Sequence, residues 1–195
     1  EILRCLVGSE MCIRDSAKGY AADPKNMEMA NFLGICYCEL GDFQKGLVIF
    51  NEIASQDNPK YAEDVVKAKE NIKLYTNNRI AKLQGENDFD GIIAVADEML
   101  AVNPQDALAQ KIRLQALFDK KDYAGVIASA EEAAAVQTDE EERSDVYFIL
   151  GAAYNARTMP QQAIDALSKV TAGANVAAAQ KTVAQLKENA AKANS

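Results

Sequence analysis

The chain has 195 residues and a net charge of -8, about half its residues are apolar, and it contains neither His nor Trp. Without His the commonest general base and the commonest metal ligand are both missing, and without a Lys/Arg cluster there is nothing to drive the counterion release on which phosphate-backbone binding rests. No apolar run reaches the roughly 20 residues of a membrane-spanning helix, so composition points to an acidic, non-catalytic protein with no metal or cofactor, no nucleic-acid partner and no membrane insertion.

Leu6 to Ser16, LVGSEMCIRDS, looks like a translated sequencing adapter, so residues 1–16 are expected to be a non-native leader outside the fold. Residues 17–23 then read as the remnant of a preceding helical unit, with the leader standing in for part of that helix. Cys5 and Cys12 belong to the leader. Cys36 and Cys38 lie two positions apart in a helical pattern, where their side chains face about 200° apart, so they cannot pair with each other. They are expected to be small buried or half-buried hydrophobes, with no disulfide framework.

Helix starts are marked by a recurring device. Asp23-Pro24, Asn58-Pro59 and Asn103-Pro104 each set a side-chain cap before a proline whose fixed φ suits a first helical position. Thr138 with Glu141 reads as a capping box. Four helices are therefore expected to begin near 24, 59, 104 and 139. In the first, Met27, Ala30, Leu33, Gly34 and Tyr37 follow helical spacing until Leu40-Gly41-Asp42 interrupts them. A second helix over 43–54 carries Gly46, Leu47, Phe50 and Ile53 on one face.

From Pro59 to Gly85 the positions Tyr61, Val65, Ala68, Ile72, Tyr75, Arg79 and Leu83 keep heptad-like spacing without Gly or Pro, which reads as one long helix; a break at Thr76-Asn77-Asn78 is the alternative. The next stretch occurs twice. Asp88 to Val102, DFDGIIAVADEMLAV, returns 34 residues later at Asp122 to Val136 as DYAGVIASAEEAAAV. A fixed period of this length marks paired helices that bury their apolar faces by stacking. The last pair shows Tyr147, Leu150-Gly151 and Tyr154, then Thr158-Met159-Pro160 at the turn, then Ala163, Ile164, Leu167 and Val170. A final helix from Val176 to about Asn189 has one apolar and one polar side, as a terminal cap requires.

Leu33-Gly34, Tyr37, Gly41-Asp42-Phe43, Gly46, Phe50 and the proline just beyond resemble the tetratricopeptide repeat (TPR). The resemblance implies an all-α, right-handed superhelical solenoid of helix-turn-helix hairpins with a C-terminal capping helix. Its four units would span about 24–57, 59–102, 104–137 and 139–173, followed by a cap and tail at 174–195. In that family Gly34's place is small so that paired helices approach closely. Ile80 and Leu114 depart from the pattern there, and Arg79 and Arg113 stand where an apolar residue is usual. The two arginines either pack their stems or pair with carboxylates such as Glu98 and Glu132.

The family pattern further implies a concave groove lined by first helices. Asn31 and Ile35 would contribute from the first unit, Asn77, Asn78 and Gln84 from the second, Lys111, Gln115 and Phe118 from the third, and Phe148 and Asn155 from the fourth. Amides there can meet a peptide backbone while Phe118 and Phe148 offer anchors. Only Lys111 is basic, which speaks against the clamp that co-chaperones of the family use on acidic tails. The expected function is a non-catalytic scaffold, bacterial in origin, that binds a protein or peptide segment. The alternative is a structural or assembly subunit of a cell-envelope complex. By analogy with exported repeat proteins of bacteria, the periplasm is favoured over the cytoplasm.

Overall fold

In the computed structural model, which describes residues 10–193, every regular element is helical among the described residues, and the helices pack in consecutive pairs. The chain divides into two compact units: Glu1–Glu86 with Ala101–Pro104, and Asn87–Leu100 with Gln105–Ser195. The boundary falls inside the repeat read from sequence as 59–102.

The first unit holds α1 (Glu10–Ala22), α2 (Met27–Glu39), α3 (Phe43–Ala54), a short 3-10 turn (Pro59–Tyr61) and α4 (Ala62–Gly85). α1 packs on α2, α2 on α3 and α3 on α4, and α2 also meets α4. Residues 10–16, assigned above to a leader, form the first half of α1, and Ser16 is buried; residues 1–9 of that leader lie outside the described residues. α4 runs without a break through Thr76, which is itself buried. The core forms because α3 presents Phe43, Gly46, Leu47, Phe50 and Ile53 at spacings of three and four, a single stripe on a helix. Phe50 and Ile53 meet Ala30 and Ala68, with Tyr75 of α4 stacked on Phe50 at 6.3 Å between ring centroids. Side chains as buried as Leu47, Phe50 and Ile53 each contribute about 1.5–3 kcal/mol.

The second unit holds α5 (Phe89–Val102, its last two residues in the other unit), α6 (Ala107–Asp119), α7 (Tyr123–Ala135), α8 (Glu140–Ala156), α9 (Pro160–Leu167) and α10 (Val176–Ala193). α6 through α10 pack each on the next, and α6 also meets α8. The repeated sequence buries the same face twice: Ile92, Ala96 and Met99 on α5, and Val126, Ala130 and Ala133 on α7, each pair separated by 34 positions. Val170 and Ala179 close a smaller core where α10 covers the end of α9.

Two sequence expectations are corrected. First, the helices do not start on the proline signals at 23–24 and 103–104. At Asp23-Pro24-Lys25-Asn26 the proline takes the second place of a β-turn, closed by Asn26 N–H donating to Asp23 O at 3.0 Å, and Asn26 caps α2 through Met29 N–H. Asp106 caps α6 in the same way, and Asp139 replaces Thr138 as the cap of α8. Of the two arginines whose packing or pairing was open above, Arg113 pairs with a carboxylate, that of Asp97, Nε to Oδ1 at 2.8 Å. Arg79 lies over the Phe43 ring, 4.8 Å from its centroid. Second, Cys36 is disulfide-bonded while Cys38 carries a free thiol. The two do not pair with each other, but Cys36 is more than a small core hydrophobe.

A tight turn between consecutive helices places one residue in left-handed backbone at Gly41, Asn87, Lys121 and Thr158, with φ of 88°, 55°, 66° and 56°. At three of these turns the following residue's N–H reaches back to a carbonyl five positions earlier: Asp42 to Tyr37, Asp122 to Leu117 and Met159 to Tyr154, at 2.9–3.0 Å. This is the hydrogen-bonded helix stop that ordinarily selects glycine.

Candidate functional site

α6 carries Lys111, Gln115 and Phe118 at intervals of four and three, which sets them on one face. α8 carries Asp145, Phe148, Ile149 and Ala152 on the face it turns to α6. These side chains, with Asn175 from the turn before α10, enclose a cavity of about 290 Å³.

The polar side of the cavity is a connected network. Lys111 Nζ donates to Asp145 Oδ2 at 2.8 Å and also to Glu142 Oε2, and the other oxygen of Asp145 accepts from Asn175 Nδ2 at 2.9 Å. Lys111 and Asp145 are 28% and 27% exposed, enough burial for the pair to escape full screening by water. Burial of Lys111 disfavours its charge, but its hydrogen bonds to Asp145 and Glu142 outweigh that and raise its pKa above the ordinary lysine value. Gln115 Nε2 donates to Asp119 Oδ1 at 2.9 Å. On the apolar side, Phe118 is braced by Tyr123 with ring centroids 5.6 Å apart and planes tilted by 59°. The floor is fixed from behind by buried Ser144, whose hydroxyl accepts from Thr171 N–H and Ala172 N–H at 3.2 and 3.1 Å and so holds the turn that presents Asn175.

Of the residues expected at a groove, the structure brings Lys111, Gln115, Phe118 and Phe148 to this one cavity. Asn155 is exposed near the end of α8 and is not among the lining residues. The other five belong to the first unit. Asn77, Asn78 and Gln84 are exposed on α4, and Ile35 is half-buried against the core around Phe50. Asn31 is 5% exposed, so it is not open to a partner; its Nδ2 donates to Asp64 O at 3.1 Å, while its Oδ1 is buried without a hydrogen bond.

Asp145, Ile149 and Asn175 line the cavity but were not expected there. The repeat period held a signal for the first, since Asp145 stands 34 positions after Lys111. A second cleft, about 550 Å³, lies between the end of α9 and α10 and is lined by Leu167, Val170, Val176 and Val183 among others.

Among the described residues no group of three or more His, Cys, Asp or Glu could hold a metal ion, and no helix is long and apolar enough to cross a membrane. The sequence matches no protein-family model, and no curated protein is significantly similar to it.

Proposed function

We propose that this chain is a non-catalytic scaffold, a right-handed superhelical solenoid of tetratricopeptide type, that binds a segment of another polypeptide along the first helices of its pairs. Two structural features support the solenoid reading. In each unit alternate helices touch, α2 with α4 and α6 with α8. Each contact is bridged from a corresponding position, Asn31 to Asp64 and Lys111 to Asp145, across 33 and 34 residues. Translational repetition of one contact is how stacked hairpins bury faces that no single hairpin can cover.

The observation that carries the binding role is the cavity flanked by Phe118 and Phe148. It combines apolar rings with amide and charged groups, the mixture that seats one anchoring side chain while meeting a peptide backbone. Replacing both rings, Phe118→Ala with Phe148→Ala, should reduce affinity for a bound segment at least ten-fold with helicity by circular dichroism retained. Undiminished binding would remove the site from this cavity.

A second reading, an assembly subunit held against fixed neighbours, is favoured by the cleft between α9 and α10, whose apolar walls would accept a partner's side chains.

A further inference from the structure

The cavity between α6 and α8 has an electrostatic sign. Its one cation, Lys111, is already engaged by two carboxylates, Asp145 and Glu142, and a third, Asp119, accepts from Gln115 one turn further along α6. Of these acids Asp145 lines the cavity with Lys111, while Glu142 and Asp119 stand at its edge, each bonded to a lining residue, in a chain whose net charge is -8. An incoming anion would find Lys111 occupied and would meet the field of the remaining carboxylates. An incoming ammonium or guanidinium would find oxygens at the half-exposed Glu142 and the exposed Asp119, at the edge of the cavity that Phe118 and Phe148 line.

From this charge complementarity we infer that the segment bound here is basic: a peptide that places one apolar side chain between Phe118 and Phe148 and a Lys or Arg within a few residues of it against the Glu142 and Asp119 carboxylates. The inference rests on the groove-binding reading above and gives it a partner chemistry. It is the reverse of acidic-tail capture, because the lysine that such capture would use is here consumed within the protein. The Lys111–Asp145–Asn175 chain fixes the shape of the wall, and the surplus charge on the rim supplies selectivity and a faster encounter with basic partners.

The test is to pan a display library of random dodecapeptides on the full chain, subtracting those that also bind the Phe118→Ala/Phe148→Ala variant, and to measure the selected peptides by fluorescence anisotropy. The selected peptides should carry Lys or Arg within about four residues of Leu, Ile, Met or Phe, one turn of helix or a few extended residues from the anchor. Their affinity should fall about three- to ten-fold in Asp119→Asn/Glu142→Gln, the range for two partly screened ion pairs. It should rise by a similar factor in Lys111→Gln, which removes a competing cation; a purely architectural role for these charges would not move binding in opposite directions. Asp119→Asn alone, at an exposed position, keeps the test available if either of the other variants unfolds. Selected peptides that are neutral or acidic and indifferent to Asp119→Asn would overturn the inference while leaving the groove in place. Failure to select any peptide that depends on the two phenylalanines would overturn both.

Discussion

Gly34 of α2 faces Phe50 of α3 so closely that a Cβ on Gly34 would stand 2.5 Å from Phe50 Cε1, inside van der Waals contact. Phe50 has no exposed surface. Two effects of Gly34→Ala therefore compete. In an open helix interior the change would stabilise by about 1 kcal/mol, whereas forcing extra volume into a packed core costs about 1–3 kcal/mol. Overpacking should win and lower the thermal midpoint, and Phe50→Leu should relieve the added cost, giving a non-zero coupling in a double-mutant cycle. Gly151 stands in the same relation to Leu167, at 2.5 Å from its Cγ. A higher midpoint for Gly34→Ala would contradict this packing.

Thr158 holds a left-handed backbone at φ 56° in the turn before α9, in the place that Gly41 fills before α3. A β-branched residue is strained there by about 1–2 kcal/mol. Thr158→Gly would release that strain and lose part of the gain, about 0.4–1 kcal/mol, to the greater freedom of glycine in the unfolded chain. The expected outcome is a net stabilisation of about 0.5–1 kcal/mol, read as a higher midpoint in thermal or denaturant unfolding. A lower midpoint would show the conformation to be unstrained.

Cys38 has its pKa pushed up to about 12, chiefly because burial disfavours the thiolate, then because Glu39 and Asp42 lie nearby, with Arg79 opposing. The folded chain thus holds the thiol proton more tightly than the unfolded chain, whose thiol titrates near 9.0. The stability this confers is fully present below pH 9 and is lost as pH rises through the folded value. Only the thiolate reacts, so alkylation of Cys38 by iodoacetamide at pH 8 should be slower than that of an unperturbed cysteine by about two to three orders of magnitude. Peptide mapping by mass spectrometry reads that rate at Cys38 itself. A rate equal to that of a free thiol would contradict the burial.

Much of the helical order was legible because period and punctuation agree. The stripe Phe43, Gly46, Leu47, Phe50, Ile53 needs only helical spacing to be recognised, and the copies at 88–102 and 122–136 bury the same positions. Helix starts at 24 and 104 were placed about three residues early, because proline serves equally well inside a β-turn and Asn26 and Asp106 take the cap. At the cavity, Lys111, Gln115 and Phe118 were legible as one face of α6. Asp145 was signalled only by its place 34 positions after Lys111, and Asn175 by nothing, since a polar residue in a loop looks solvated until tertiary contacts place it. Asn31 illustrates the opposite failure. Its amide looks available on a helix surface, and only the Asp64 carbonyl, 33 residues away, shows that its Nδ2 is already used.

On the proposed reading a polypeptide segment is held between α6 and α8. Side-chain NMR of the full chain, titrated with a dodecapeptide selected on it by display, measures this directly. Saturable shifts are expected for the Phe118 and Phe148 ring protons and the Ile149 and Ala152 methyls, with the Val176 and Val183 methyls at the other cleft unmoved. Shifts confined to Val176 and Val183, with both rings unchanged, would contradict it.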